Sequence, residues 1–174
     1  QMRLMQGAPR LSRASRSQGR CVLPVKSQHR ERNRQMRDTI SVEICINCDG
    51  PQDIEDSVGA AHAGGASTVE LCSAMHFDGL TPSVDQISAA RLAFDNRPGL
   101  LVMIRPRQGN FLYSPKEIVA IHRQIEAAAT AGADGVVFGA LNEARCLALD
   151  VCRELIKTAL ASDLRPSFHR AFDS

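Results

Sequence analysis

From Thr39 onward the chain alternates between two hydrophobic periods. Short apolar or β-branched runs give way to longer stretches with helical spacing, about five times over. The first run is Ser41 to Ile46. A helical pattern over 52–63 follows and ends at Gly64-Gly65, a natural C-terminal stop. Thr68 to Cys72 is the second strand. Thr81-Pro82 then has the look of a helix start, an N-cap followed by proline. Leu100 to Arg105 is the third strand. Ser114-Pro115-Lys116-Glu117 forms a capping box that opens a helix running to about Ala131. Gly135 to Phe138, a helix over 143–161 and Pro166 to His169 complete the series.

Strands alternating with helices of this length predict βαβ units and a parallel sheet, an α/β protein. A doubly wound sheet and a barrel both satisfy that pattern. The G-x-G-x-x-G fingerprint is missing after the first strand, which removes the main sign of a dinucleotide-binding sheet.

Side-chain parity within the strands adds a second layer. Val42, Ile44 and Ile46 share one face of the first strand, and Glu43 and Cys45 the other. In the second, Val69 and Leu71 oppose Thr68, Glu70 and Cys72. In the third, Val102 and Ile104 oppose Met103 and Arg105. In the fifth, Phe168 opposes Ser167 and His169. Each strand therefore has an aliphatic face suited to packing under helices, and a second face with ionisable or sulfur groups. Turned into a barrel, the second faces gather Glu70, Arg105 and His169 near the strand C-termini, where barrel enzymes build their active sites. Buried unpaired, such groups are costly. They are expected to form a network, such as Glu70 with Arg105, or to line a wet pocket. A network that only holds the barrel interior together is the structural alternative.

Composition changes the picture at two points. Residues 1–37 carry nine Arg and one Lys against the single acid Glu31, whereas residues 38–174 carry eleven basic residues against eighteen acids, about −7. Residues 1–38 therefore read as a disordered basic tail, or as an organellar transit peptide, which is also Arg- and Ser-rich and acid-poor. The acidic remainder, 39–174, does not call for nucleic acid. No apolar run approaches the roughly 18 residues needed to cross a bilayer, so no membrane partner is expected. The six cysteines follow no secretory h-region, which points to a reducing, cytoplasmic setting with free thiols.

The strand motifs resemble one family. Glu43-Ile44-Cys45 is similar to the opening strand of the CutC copper homeostasis family. Glu70-Leu71-Cys72-Ser73, with Gly79-Leu80-Thr81-Pro82-Ser83, resembles its second strand and loop. Val102 to Arg107, then Gly109 to Ser114, resembles its third. Ala133 to Leu141 and Phe168 to Asp173 resemble its fourth and fifth. The resemblance covers about 40–174. It implies a partial TIM (β/α) barrel, five of eight units, truncated after strand 5. Asp78-Gly79 stands where the family usually has a Gly pair, and Gln108-Gly109-Asn110 where it usually has Gly-Gly-Asp.

Cys45 and Cys72 fall on the same predicted face of neighbouring strands about 4.8 Å apart. Thiolates are soft donors that favour Cu(I) and can hold it in a near-linear site. The resemblance implies the same two residues as copper ligands. Two inert buried thiols are the alternative. Cys48 is an auxiliary ligand candidate, and His76, in the loop after Cys72, could approach a metal. Cys45-x-x-Cys48 has the spacing but not the strand–helix context of a redox motif. Three functional readings stay open. One is a copper homeostasis protein binding Cu(I). The second is an enzyme using Glu70, Arg105 and His169 at the barrel mouth. The third is a fragment without function, whose open strand edges lead to aggregation or to pairing in a homo-oligomer.

Overall fold

The structure is a computed structural model that describes residues 40–50 and 52–173. The basic tail expected over 1–38 lies outside the described residues. The strands are β1 (Glu43–Asn47), β2 (Thr68–Cys72), β3 (Leu100–Met103), β4 (Gly135–Phe138) and β5 (Arg165–Phe168). The helices between them are α1 (Ile54–Ala63), α2 (Val84–Ala93), α3 (Pro115–Thr130) and α4 (Leu149–Ala161). Single 3-10 turns follow β2 at Met75–Phe77 and β5 at Arg170–Asp173.

All five strands are parallel and lie in one sheet in chain order, β1-β2-β3-β4-β5. Sequential order with a helix between each strand and the next is the wall of a (β/α) barrel, of which these residues form an arc. The expected α/β barrel class is what the chain adopts. Among the described residues, no helix is long and apolar enough to cross a membrane.

On β2, β3 and β4 the aliphatic faces turn to the helices as strand parity predicts, whereas Phe168 of β5, expected opposite Ser167 and His169, lines the same cavity as they do. Val69, Leu71, Leu100, Val102, Ile104, Val136 and Phe138 join the hydrophobic core with Val58, Ile87, Ile121, Ile125 and Leu155 from the helices. These side chains are almost wholly out of water. Outer strands are less complete. Val42 and Ile44 beside or on β1, and Phe168 on β5, stay more than a third exposed. Each terminal strand has only one neighbour among the described residues.

Element starts differ from expectation where side chains find better partners. Thr81-Pro82 does not open α2. Ser83 caps it, in a capping box with Gln86. Thr81 is taken by the end of β3 instead: its Oγ1 accepts from the Arg105 N–H at 2.8 Å and its N–H donates to the Arg105 carbonyl. The last helix starts at Leu149 and not at 143, because 141–147 closes a tight turn. There the Asn142 carboxamide oxygen accepts from the Cys146 N–H at 3.0 Å, and Leu141 bridges Leu147. Ser114 and Glu117 form the expected capping box, with Pro115 in the first turn.

Candidate metal centre

Register decides which inward side chains meet. Cys45 is level with Glu70, Glu70 with Leu101, Leu101 with Gly135 and Gly135 with Arg165. One step up, Asn47 is level with Cys72, Met103 with Val137 and Val137 with Ser167. Leu71 pairs with Val102, so Cys72 and Met103, the next residue of each strand, are also level. Residues from these rungs line a cavity of about 380 Å³. Its wall carries Glu43, Cys45, Glu70 and Cys72 at one end, Leu101, Met103 and Val137 along the floor, and Ser167 and His169 at the other.

The Cys45 and Cys72 sulfurs are 3.7 Å apart. With a Glu70 carboxylate oxygen they form a group whose ligand atoms all lie within 4.8 Å of one another. Cys45 is exposed, Glu70 partly buried and Cys72 buried, so the group has an open side and a dry side. The hydrogen bond between the two sulfurs pulls the Cys45 thiol below its ordinary range, against burial and the Glu70 and Glu43 charges. The same hydrogen bond, burial and the Glu70 charge push Cys72 up. Burial, and then Glu43, raise the Glu70 carboxyl above its usual value.

The other expected residues take different places. Cys48 packs against the core, and its backbone N–H donates to the Cys72 carbonyl at 2.8 Å. Burial, with Asp49 and Cys45 nearby, pushes its thiol up to about 12. It is outside the three-residue group. His76 packs at a tilt against Phe77 with ring centres 4.0 Å apart and does not line the cavity.

Arg105 does not pair with Glu70. Its guanidinium donates from one nitrogen to the carbonyls of Phe77 (2.8 Å), Asp78 (3.2 Å) and Gly79 (3.2 Å), and from another to that of Gly109 (2.8 Å). It also lies over the Phe111 ring at 4.8 Å. Only 4% of it is exposed. Arg105 is therefore a clasp between the loops after β2 and β3.

His169 is 6% exposed and lines the far end of the cavity. Its Nδ1 accepts from the Ala171 N–H at 3.2 Å, which leaves the ring proton on Nε2, and Nε2 has no partner. Gly139 makes room for it: a Cβ there would sit 2.7 Å from the ring Cε1. Burial, with a smaller push from the Arg105 charge, lowers the imidazole to about 4. The unfolded chain, near 6.5, therefore takes up this proton first as pH falls. The His169 contribution is fully present above pH 6.5 and drains away between 6.5 and about 4. It is expected to reach about 3 kcal/mol. Urea midpoints across that window should fall less steeply for His169→Gln than for the parent; equal slopes would mean that the ring titrates as it does in the open chain.

Ser167, which sequence reasoning had not singled out, lines the cavity, and Met75 lines it from a loop with no period to reveal it.

Known proteins share this sequence and fold. The CutC family model matches residues 40–174. The chain is 45% identical over 131 residues to a CutC family protein of Bacteroides thetaiotaomicron, covering 75% of this chain and 49% of that protein. It is 39% identical over 132 residues to the human copper homeostasis protein cutC homolog, covering 76% and 45%. The Caenorhabditis elegans homolog of the same description is 41% identical over 134 residues, covering 77% and 50%. A crystal structure of a CutC protein from Streptococcus agalactiae superposes with a TM-score of 0.67 at 28% identity, covering 78% of this chain and 61% of that one. The chain spans about half the length of the curated relatives it matches.

Proposed function

Because the chain belongs to the CutC family, we propose that it serves copper homeostasis by holding one Cu(I) ion between the thiolates of Cys45 and Cys72. The observation that carries this reading is the pair of sulfurs 3.7 Å apart at the mouth of a cavity, one exposed and one buried. Soft thiolates select Cu(I) over the harder divalent ions that carboxylates prefer. The buried partner shields the ion, and the exposed one leaves a route for transfer. The free thiols fit a reducing, cytoplasmic setting. The curated relatives named above as copper homeostasis proteins support the same cargo.

One observation favours a second reading, that of an enzyme. The cavity extends well past the sulfurs, and at its far end His169 carries an unpartnered ring nitrogen. A substrate acceptor group placed there would satisfy it.

Native mass spectrometry of the purified chain, before and after anaerobic Cu(I), tests both. The expected result is a mass gain of one copper per chain that survives a modest excess of chelator. A chain that gains no copper ends the first reading. A bound organic molecule that disappears in His169→Ala, with copper uptake intact, would establish the second.

A further inference from the structure

We propose that the thioether of Met75 is the third sulfur ligand of the Cu(I) ion. The proposal rests on the copper reading above and specifies how that site is completed.

The two thiols stand 3.7 Å apart, one exposed and one buried, and both line the same cavity. An ion held between them would therefore face the cavity, where a third soft donor on its wall could reach it.

Three groups line the cavity close enough to be considered. Glu70 is one, within 4.8 Å of both sulfurs. A carboxylate is a hard donor, and it would set a third negative charge against a single positive one in a half-buried site. A thioether is soft and neutral. Both methionines among the described residues, Met75 and Met103, line this one cavity. Chance burial does not explain Met75, which is 40% exposed.

Backbone shape brings Met75 to the thiols. Ala74 (φ 47°), Asp78 (φ 63°) and Gly79 (φ 84°) are all left-handed and fold the chain back after β2. The Ser73 N–H donates to the Leu80 carbonyl at 2.9 Å, and the Leu80 N–H donates back to Ser73, closing the loop. A Cβ on Gly79 would lie 3.3 Å from Cys72 Sγ and 3.6 Å from Met75 Sδ, so the two sulfurs flank the same glycine. Arg105 clasps this turn through the carbonyls of Phe77, Asp78 and Gly79. Met103, by contrast, is packed into the floor at 8% exposure. Met75 has three rotatable bonds and open space in which to close on an ion.

The experiment uses the chain with selenomethionine in place of methionine, loaded anaerobically with one Cu(I). X-ray absorption at the copper edge should show copper–selenium scattering beside two copper–sulfur contacts. The selenium signal should vanish in Met75→Leu, a volume-conserving change, and persist in Met103→Leu. Cu(I) affinity in chelator competition should fall about tenfold in Met75→Leu, the lower end of what a lost supporting group costs a metal site. Bound copper with sulfur neighbours and no selenium overturns the proposal. So does a selenium signal that survives Met75→Leu, whether Met103 or a methionine of residues 1–39 supplies it. No bound copper at all brings down the copper reading itself, an outcome distinct from either.

Discussion

Cu(I) affinity is expected to drop by at least about 100-fold when Cys45 and Cys72 are both replaced by serine, as read by anaerobic competition with a coloured chelator. A serine hydroxyl keeps the volume and removes the soft donor, so folding is spared while ligation is lost. The thiolate, not the thiol, binds metal. The hydrogen bond across 3.7 Å lowers the Cys45 thiol and raises that of Cys72, so Cys45 would give up its proton to an incoming ion more readily than Cys72. Each single variant should therefore lose most of the affinity, because one remaining thiolate cannot chelate. The two losses should sum to more than the double variant shows, as expected for groups acting on one ion. A double variant that binds Cu(I) as tightly as the parent would move the copper site elsewhere. Cys48, with its raised thiol and its packing against the core, is poorly placed to inherit it.

How much of this was legible beforehand follows from what each residue answers to. Cys45 and Cys72 could be put on one face because strand parity is strict and both strands were recognisable from their alternation. The register of Cys45 with Glu70 then brings the carboxylate into the group, which parity alone did not specify. Met75 carried no signal. It sits in a turn built from left-handed residues, one of them Ala74, where no period operates. The pairing expected between Glu70 and Arg105 failed for a related reason. Opposite charges on one sheet face invite pairing, but Arg105 lies above Glu70 in the stack and is level with the loops, whose carbonyls it meets first. Backbone acceptors leave no mark in a sequence. The helix starts at Val84 and Leu149 were misjudged because Thr81 and Asn142 spend their hydrogen-bonding groups on β3 and on a tight turn.

Arg105→Ala is expected to be the most damaging single change among the residues of the site region, lowering stability by about 3–4 kcal/mol in urea unfolding. Four carbonyls accept from this one guanidinium, and it is almost fully buried. Bonds to a charged donor contribute about 1.5–3 kcal/mol each when taken alone, and they do not add. Truncation also uncovers the Phe111 face on which the guanidinium rests. Arg105→Lys keeps the charge but not the planar fork. A single ammonium cannot reach both the turn at 77–79 and the loop at Gly109, so partial rescue is expected. The order parent, Lys, Ala should hold in the midpoints. An alanine variant within 1 kcal/mol of the parent would mean that the loops hold themselves and the guanidinium only follows. The consequence for the metal centre is directional. Met75 rides on the clasped turn, whereas Cys45 and Cys72 are fixed by the β1–β2 ladder. Weakening the clasp should therefore loosen the thioether while the two thiolates keep their spacing, and Arg105→Lys should lose affinity for Cu(I) in the same measure as Met75→Leu, not as the cysteine variants do.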